Sequence, residues 1–177
     1  SSSFFIAGIP RLGLPDLRES DASLGVATAG RLDDDADALP SGMLMASTWS
    51  PDVAFAGGAM IGKETRQKGF NVLLNGGVDL LRDPRNGRNF EYLGEDPLLA
   101  GTLAGAAIRG IQSNHIVSTT KHFALNDQET GRMVLSAEID AAALRESDLL
   151  AFEIAIETGH PGSVMCAYNR LSRTYCC

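Results

Sequence analysis

Apolar and polar residues along the chain fall into blocks that predict short buried strands separated by helices. Three apolar, β-branched or aromatic runs read as strands: Phe70–Leu74, His115–Thr119 and Ser163–Tyr168. Their starting points lie about 45 residues apart. This spacing leaves room for one helix and its connecting loops between each pair of strands.

The helices are marked by their first residues. Ser50-Pro51 and Asp96-Pro97 each combine an N-cap side chain with a proline at the first helical position, and Asp140 is a third N-cap. The pattern predicts helices from Pro51 towards Gly69, from Pro97 to near Asn114, and from Asp140 to a stop at Gly159.

Alternating strands and helices predict an α/β fold with a parallel sheet. A doubly wound sheet and a (β/α)8 barrel both fit that order. The segment after Leu74 lacks the Gly-x-Gly-x-x-Gly turn of a dinucleotide-binding sheet. Polar residues follow every strand, which is typical of a barrel: Asp79, Arg82, Arg85 and Arg88 after the first, Lys121 and His122 after the second, and Tyr168 and Asn169 after the third. The barrel is therefore favoured.

Length and charge exclude some functions. The 177 residues suit one domain or part of a larger one. A net charge of −7 with scattered Lys and Arg argues against a nucleic-acid partner, and no apolar run approaches a membrane span. The first residues do not form a signal peptide, and both ends are expected to be internal to a longer protein. Three cysteines at Cys166, Cys176 and Cys177 support neither a disulfide framework nor a zinc site, and Cys166 is predicted to be a small buried apolar residue.

The densest polar segment is Ser118–Arg132, where Lys121 and His122 directly follow a predicted strand. Its residues leave several chemistries open. Glycoside hydrolysis needs two carboxyl groups, about 5–5.5 Å apart for retention, and the pairs Asp127 with Glu129 or Asp79 with Glu91 are candidates. Arg88, Lys121 and Arg132 also suit an anion clamp. Metal binding is the weakest case, since the three histidines lack ligand spacing.

A second polar segment adds to the first. Arg82-Asp-Pro-Arg-Asn-Gly-Arg-Asn-Phe-Glu91 is followed by Gly94-Glu-Asp-Pro97 and then by Lys121-His-Phe123. Together with Ile9–Pro15, Glu19–Gly25 and Gly162–Asn169, these segments closely resemble glycoside hydrolase family 3. The continuation Asn126–Arg132 looks like its β-glucosidase branch. The resemblance covers almost the whole chain.

The resemblance implies the first part of a (β/α)8 barrel that binds the terminal glucose of a β-glucoside or oligosaccharide. The residues that match the family's sugar contacts are Asp21, Arg88, Lys121, His122, Arg132 and Tyr168. Asp21 would grip hydroxyls at the far end of the ring. No cofactor or metal is implied, and a periplasmic or secreted location is expected.

The chain departs from the family pattern at the catalytic carboxylates. The family's nucleophile lies in a Ser-Asp-Trp type segment, which is absent from these residues, and its acid/base lies in a second domain. We therefore expect both beyond Cys177, and we expect this chain alone to be inactive. Alternatives are a β-xylosidase of the same family and a non-catalytic sugar-binding module.

Overall fold

A mostly parallel β-sheet with helices packed against it forms the centre of the molecule. The structure, a computed structural model, describes residues 4–21, 23–27 and 35–176. Its strands are β1 (Phe5–Ile6), β2 (Leu17–Asp21), β3 (Val72–Leu74), β4 (Val117–Phe123), β5 (Ser136–Ala137), β6 (Ser163–Cys166), β7 (Arg170–Leu171) and β8 (Thr174–Tyr175). The α-helices are α1 (Gly42–Ala46), α2 (Pro51–Gln67), α3 (Pro97–Gln112), α4 (Ala141–Glu146) and α5 (Asp148–Gly159), and 3-10 turns span Pro10–Leu12 and Asn89–Glu91.

The main sheet has the strand order β1-β2-β3-β4-β6, and a small second sheet pairs β7 with β5 and β8. Strands β2, β3, β4 and β6 run parallel, while β1 is antiparallel to β2. Helix α2 connects β2 to β3, α3 connects β3 to β4, and α4 and α5 connect β4 to β6. This order confirms the predicted α/β class. The sequence pattern missed β2, which supplies a fourth parallel strand.

The helix starts form as their N-cap residues predict. Ser50 Oγ accepts the N–H of Val53 at 3.3 Å, and Asp96 Oδ1 accepts that of Leu99 at 2.7 Å. Each bond satisfies an N–H group that has no partner inside its helix. Asp140 likewise caps α4 through its carboxylate.

The third predicted helix is wrong in one respect, because it is broken in two at Ser147. Ser147 has φ −121° and ψ −92°, outside the helical region, and its hydroxyl donates to the carbonyl of Ala143 at 2.6 Å. Gly159 is the last residue of α5 rather than a residue beyond it, and His160 takes the left-handed position. A Cβ on Gly159 would approach the Cα of Gly105 to 3.0 Å, so packing against α3 requires the glycine.

The ends of the three predicted strands also differ from those in the structure. The second strand runs from Val117 to Phe123 rather than from His115 to Thr119, so Lys121 and His122 belong to the strand itself. His115 has a positive φ of 59° and closes the turn after α3. The first strand begins only at Val72, and the third ends at Cys166. The apolar runs extend into turns, which the hydrophobic pattern alone does not reveal.

The prediction for Cys166 was wrong. It is only partly buried and takes part in a disulfide, whereas Cys176 is a free thiol. Within the described ranges, no helix is both long enough and apolar enough to cross a membrane.

Helix α3 packs against both α2 and α5, and glycines make the α2–α3 approach very close. A Cβ at Gly58 would lie 2.2 Å from the carbonyl oxygen of Ala107, and one at Gly110 would lie 2.2 Å from that of Phe55. Buried side chains such as Ile108 and Phe152 fill the space between α3, α5 and the sheet. The close helix contact holds the layer that supports β3 and β4.

We expect Gly58→Ala to destabilise the full-length protein by about 1–3 kcal/mol, because the methyl group meets rigid backbone on α3. The free energy of unfolding from urea denaturation measures this. Gly57→Ala is the matched control on the same helix. Its Cβ would meet the flexible end of Met45 and make an ordinary contact with Leu39, so it should be neutral or stabilising by up to about 1 kcal/mol. Equal effects of the two changes would contradict the close contact.

Candidate functional site

The site lies at the carboxyl ends of the parallel strands. Asp21 is the last residue of β2, Lys121 and His122 lie near the end of β4, and Tyr168 follows β6. Arg88 belongs to the long segment after β3. Parallel strands bring these ends to one edge of the sheet, which is where sites form in barrels of this kind.

Lys121 is the centre of the site. Its side chain is only 2 % exposed, yet its Nζ lies 3.0 Å from Asp21 Oδ1 and 3.5 Å from Glu91 Oε2. Asp21 itself is 53 % exposed at its side chain. The buried ammonium thus faces one carboxylate in the interior and one at the surface.

Glu91 joins Lys121 to Arg88. Its Oε1 accepts from Arg88 Nε, and its Oε2 accepts from the hydroxyl of Ser23 at 2.7 Å. Burial alone would raise the pKa of Glu91, but the charge of Lys121 and the donors Arg88 and Ser23 lower it below the ordinary value. Glu91 is therefore an anion held inside the protein by two cations.

The tautomer of His122 follows from its neighbours. Arg88 Nη2 lies 3.1 Å from Nε2, and because a guanidinium only donates, Nε2 must accept. The imidazole proton therefore resides on Nδ1, which lies 3.1 Å from the hydroxyl of Tyr92 and 3.4 Å from Asp79 Oδ2. Tyr92 is fully buried, and this burial, reinforced by the charge of Asp79, raises its pKa. The tyrosine thus stays neutral.

Asp79 is a buried carboxylate that fixes the main chain of the site. Its two oxygens accept the N–H of His122 at 2.8 Å and that of Asn126 at 3.2 Å. It is 0 % exposed. Asp79 therefore serves the scaffold around His122. It was a candidate for catalysis on residue type alone.

A second branch of contacts runs from Arg88 to Tyr168. Arg88 Nη1 lies 3.6 Å from Glu129 Oε1, and Arg132 Nη1 lies 3.0 Å from Glu129 Oε2. The guanidinium carbon of Arg132 lies 4.9 Å from the centre of the Tyr168 ring. This distance is typical of a cation–π contact.

All six residues that the sequence singled out are thus joined in one network. The connections pass through two glutamates, Glu91 and Glu129, each of which sequence reasoning had named as a member of a possible acid/base pair. An open hollow of about 470 Å³ lies against Asp21, Arg88 and Glu91. Its volume is within the range of small-molecule sites. Over the described residues, no group of three or more His, Cys, Asp or Glu side chains is arranged to hold a metal.

Asp127 lies outside this network, on the far side of the same segment. Its Oδ2 is 3.2 Å from Arg82 Nε, and Arg82 also pairs with the fully buried Asp148. Burial, followed by the charges of Asp79 and Asp148, raises the pKa of Asp127 to about 7 in spite of Arg82. The pairing of Asp127 with Glu129 as acid and base therefore has no support in the geometry, since the two carboxylates contact different arginines.

Known proteins match this chain over nearly its full length. Residues 9–176 match the model of the glycosyl hydrolase family 3 N terminal domain. The chain belongs to glycosyl hydrolase family 3. The resemblance inferred from the sequence segments is thereby confirmed.

Among its family relatives, β-glucosidase BoGH3A of Bacteroides ovatus is 41% identical over 181 residues, covering 97% of this chain and 24% of the relative. The probable β-glucosidase K of Emericella nidulans is 43% identical over 167 residues, covering 94% of this chain and 20% of the relative. The chain thus spans between a fifth and a quarter of the length of these relatives.

Solved structures of the family show the same fold. β-Glucosidase 3B of Thermotoga neapolitana in complex with α-D-glucose superposes with a TM-score of 0.91 at 39% identity, over 97% of this chain and 25% of that one. The β-glucosidase of Kluyveromyces marxianus in complex with glucose gives 0.94 at 33% identity, over 98% and 21%. This likeness confirms a partial (β/α)8 barrel.

The raised pKa of Asp127 predicts a pH-dependent stability. The folded state holds the proton up to about pH 7, whereas an unfolded aspartate releases it near pH 3.9. The wild-type free energy of unfolding should therefore fall between about pH 4 and pH 7, by roughly 2–4 kcal/mol from this group. Asp127→Asn has no proton to lose at this position. The free energy of unfolding of the variant minus that of wild type should therefore increase with pH across that window.

Denaturant unfolding of the full-length protein at pH 4.5 and pH 8 measures the difference. Asp83→Asn is the control, because hydrogen bonds from Arg85 lower the pKa of the exposed Asp83 to about 2 and place its titration below this window. A difference in free energy of unfolding between wild type and Asp127→Asn that is the same at both pH values would contradict a protonated Asp127.

Proposed function

We propose that this chain supplies the glucose-binding part of a β-glucosidase that releases terminal, non-reducing β-D-glucose with retention. The single observation that carries the proposal is the connected network of Asp21, Lys121, His122, Arg88 and Arg132, of which Asp21 and Arg88 line an open hollow. Family membership and the β-glucosidase names of the relatives support it.

The chemistry of the network suits a sugar. Each hydroxyl both donates and accepts a hydrogen bond, so a pyranose needs carboxylates and cations side by side. Asp21 offers exposed acceptor oxygens, while Arg88 and Lys121 offer charged donors. Charge-assisted bonds of this kind are roughly twice as strong as neutral ones. The cations are already paired with carboxylates, so they are held in place before the ligand arrives.

Tyr168 adds an apolar surface to the same site. Its side chain is half exposed, and Arg132 covers one part of the ring. In this proposal the aromatic face packs against the sugar ring near the anomeric carbon, while Arg132 donates to a hydroxyl.

The catalytic carboxylates are proposed to lie outside these 177 residues. An aspartate acts there as nucleophile and a glutamate of another domain as acid/base, as in a retaining glycosidase. The network described here binds the sugar and favours the oxocarbenium-like transition state through hydrogen bonds that strengthen as the ring flattens. The chain alone is then without hydrolytic activity.

Hydrolysis of aryl β-glucosides by the full-length protein tests the activity, with aryl β-xylosides as the comparison. Asp21→Ala should lower kcat/KM by about 30- to 1000-fold, which corresponds to about 2–4 kcal/mol of lost charged hydrogen bonds.

The control is Asp52→Ala, which removes an exposed carboxylate in the first turn of α2. It should retain wild-type kcat/KM. Unchanged activity of Asp21→Ala would show that Asp21 does not bind the substrate. Faster hydrolysis of aryl β-xylosides than of aryl β-glucosides would show that the enzyme is a β-xylosidase.

A further inference from the structure

We propose that Glu91 is a positioning residue of the sugar site, which holds Lys121 and Arg88 at a fixed separation so that both can donate to one sugar. The inference rests on the proposed function. It assigns to a buried carboxylate a role that its position in the sequence does not indicate.

Both oxygens of Glu91 are occupied by site residues. Oε1 accepts from Arg88 Nε, while Oε2 accepts from the Ser23 hydroxyl at 2.7 Å and faces Lys121 Nζ at 3.5 Å. Its side chain is only 4 % exposed. Glu91 thus has little surface left for a ligand and acts through its neighbours.

The main chain around Glu91 cannot easily shift. A Cβ on Gly77 would lie 3.0 Å from the carbonyl oxygen of Glu91 and 2.8 Å from the ring of Tyr92. A Cβ on Gly42 would approach the Tyr92 carbonyl to 2.4 Å. The backbone at the end of the Asn89–Glu91 turn is therefore packed closely against Gly77 and Gly42. This packing limits the movement of the Glu91 carboxylate.

The charge balance explains why a carboxylate is needed there. Lys121 is 2 % exposed and Arg88 is 19 % exposed at their side chains, so both cations are largely removed from water. Among the described residues, Glu91 is the carboxylate that contacts both of them, whereas Asp21 contacts Lys121 and Glu129 contacts Arg88. Without Glu91, each cation would be drawn to its outer carboxylate and away from the other.

The test compares Glu91→Gln with wild type in the full-length enzyme. Glutamine keeps the shape and the contact with Ser23 but removes the charge. We expect kcat/KM on an aryl β-glucoside to fall about 10- to 100-fold, and competitive inhibition by free glucose to weaken. Glu91→Asp keeps the charge on a shorter side chain and should recover part of the activity, which also covers the case in which the glutamine variant folds poorly.

A double-mutant cycle separates positioning from a general structural effect. In a Lys121→Met background, one of the two cations is gone. The fold-decrease in kcat/KM caused by Glu91→Gln should therefore be at most a third of the fold-decrease that it causes in the wild-type background. The control is Glu153→Gln on the exposed face of α5, which should leave kcat/KM unchanged in both backgrounds. Circular dichroism checks that each variant is folded.

The outcomes distinguish the two proposals. A wild-type enzyme that neither hydrolyses aryl β-glucosides nor is inhibited by glucose overturns the proposed function and this inference with it. An active wild type together with a Glu91→Gln variant within twofold of it overturns the inference alone. Additive effects of Glu91→Gln and Lys121→Met also overturn it. A loss that is non-additive and partly restored by aspartate supports it.

Discussion

The burial of a positive charge at Lys121 is the constraint on which the site depends. Removing an ammonium from water costs several kcal/mol unless carboxylates compensate for it. Here the compensation comes from Asp21 at the end of β2 and from Glu91 in the turn before α3. A single electrostatic requirement therefore ties together three parts of the chain that lie far apart in sequence. Asp21, the exposed carboxylate of the two, remains accessible to a ligand.

The scaffold meets this requirement by close backbone packing. Gly58 and Gly110 let α2 and α3 approach each other, and Gly77 lets the Glu91–Tyr92 backbone lie against the segment after β3. Tyr92 then fills the interior below the site and contacts His122. Rigid contacts of this kind limit how far charged side chains can move. The charged groups of the candidate site are thus held in place without a ligand, and preorganisation of this kind reduces the entropy lost on binding.

Two electrostatic clusters contact the segment after β4, one through Glu129 and the other through Asp127. One contains Lys121, Glu91 and Arg88, and the other contains Arg82, Asp127 and Asp148. Asp79 connects them, since it accepts from the His122 main chain and its charge helps to raise the pKa of Asp127. The segment that carries Glu129 and Arg132 is consequently anchored from both sides. Protonation in the second cluster compensates for placing several carboxylates around one arginine.

Some features of this protein follow from local sequence alone. The N-caps before α2 and α3 and the α/β alternation could be predicted, because they depend on neighbouring residues. Likeness to family segments singled out six candidate residues, which the fold brings together in one network. Local sequence did not reveal the break at Ser147, the disulfide of Cys166 or the extension of β4 through His122, since each depends on contacts with distant segments. The burial of Glu91 between two cations was likewise decided only by the tertiary structure. A carboxylate next to arginines in a loop is ordinarily a surface ion pair, and only the folded chain buries it between Lys121 and Arg88, where water no longer screens their charges.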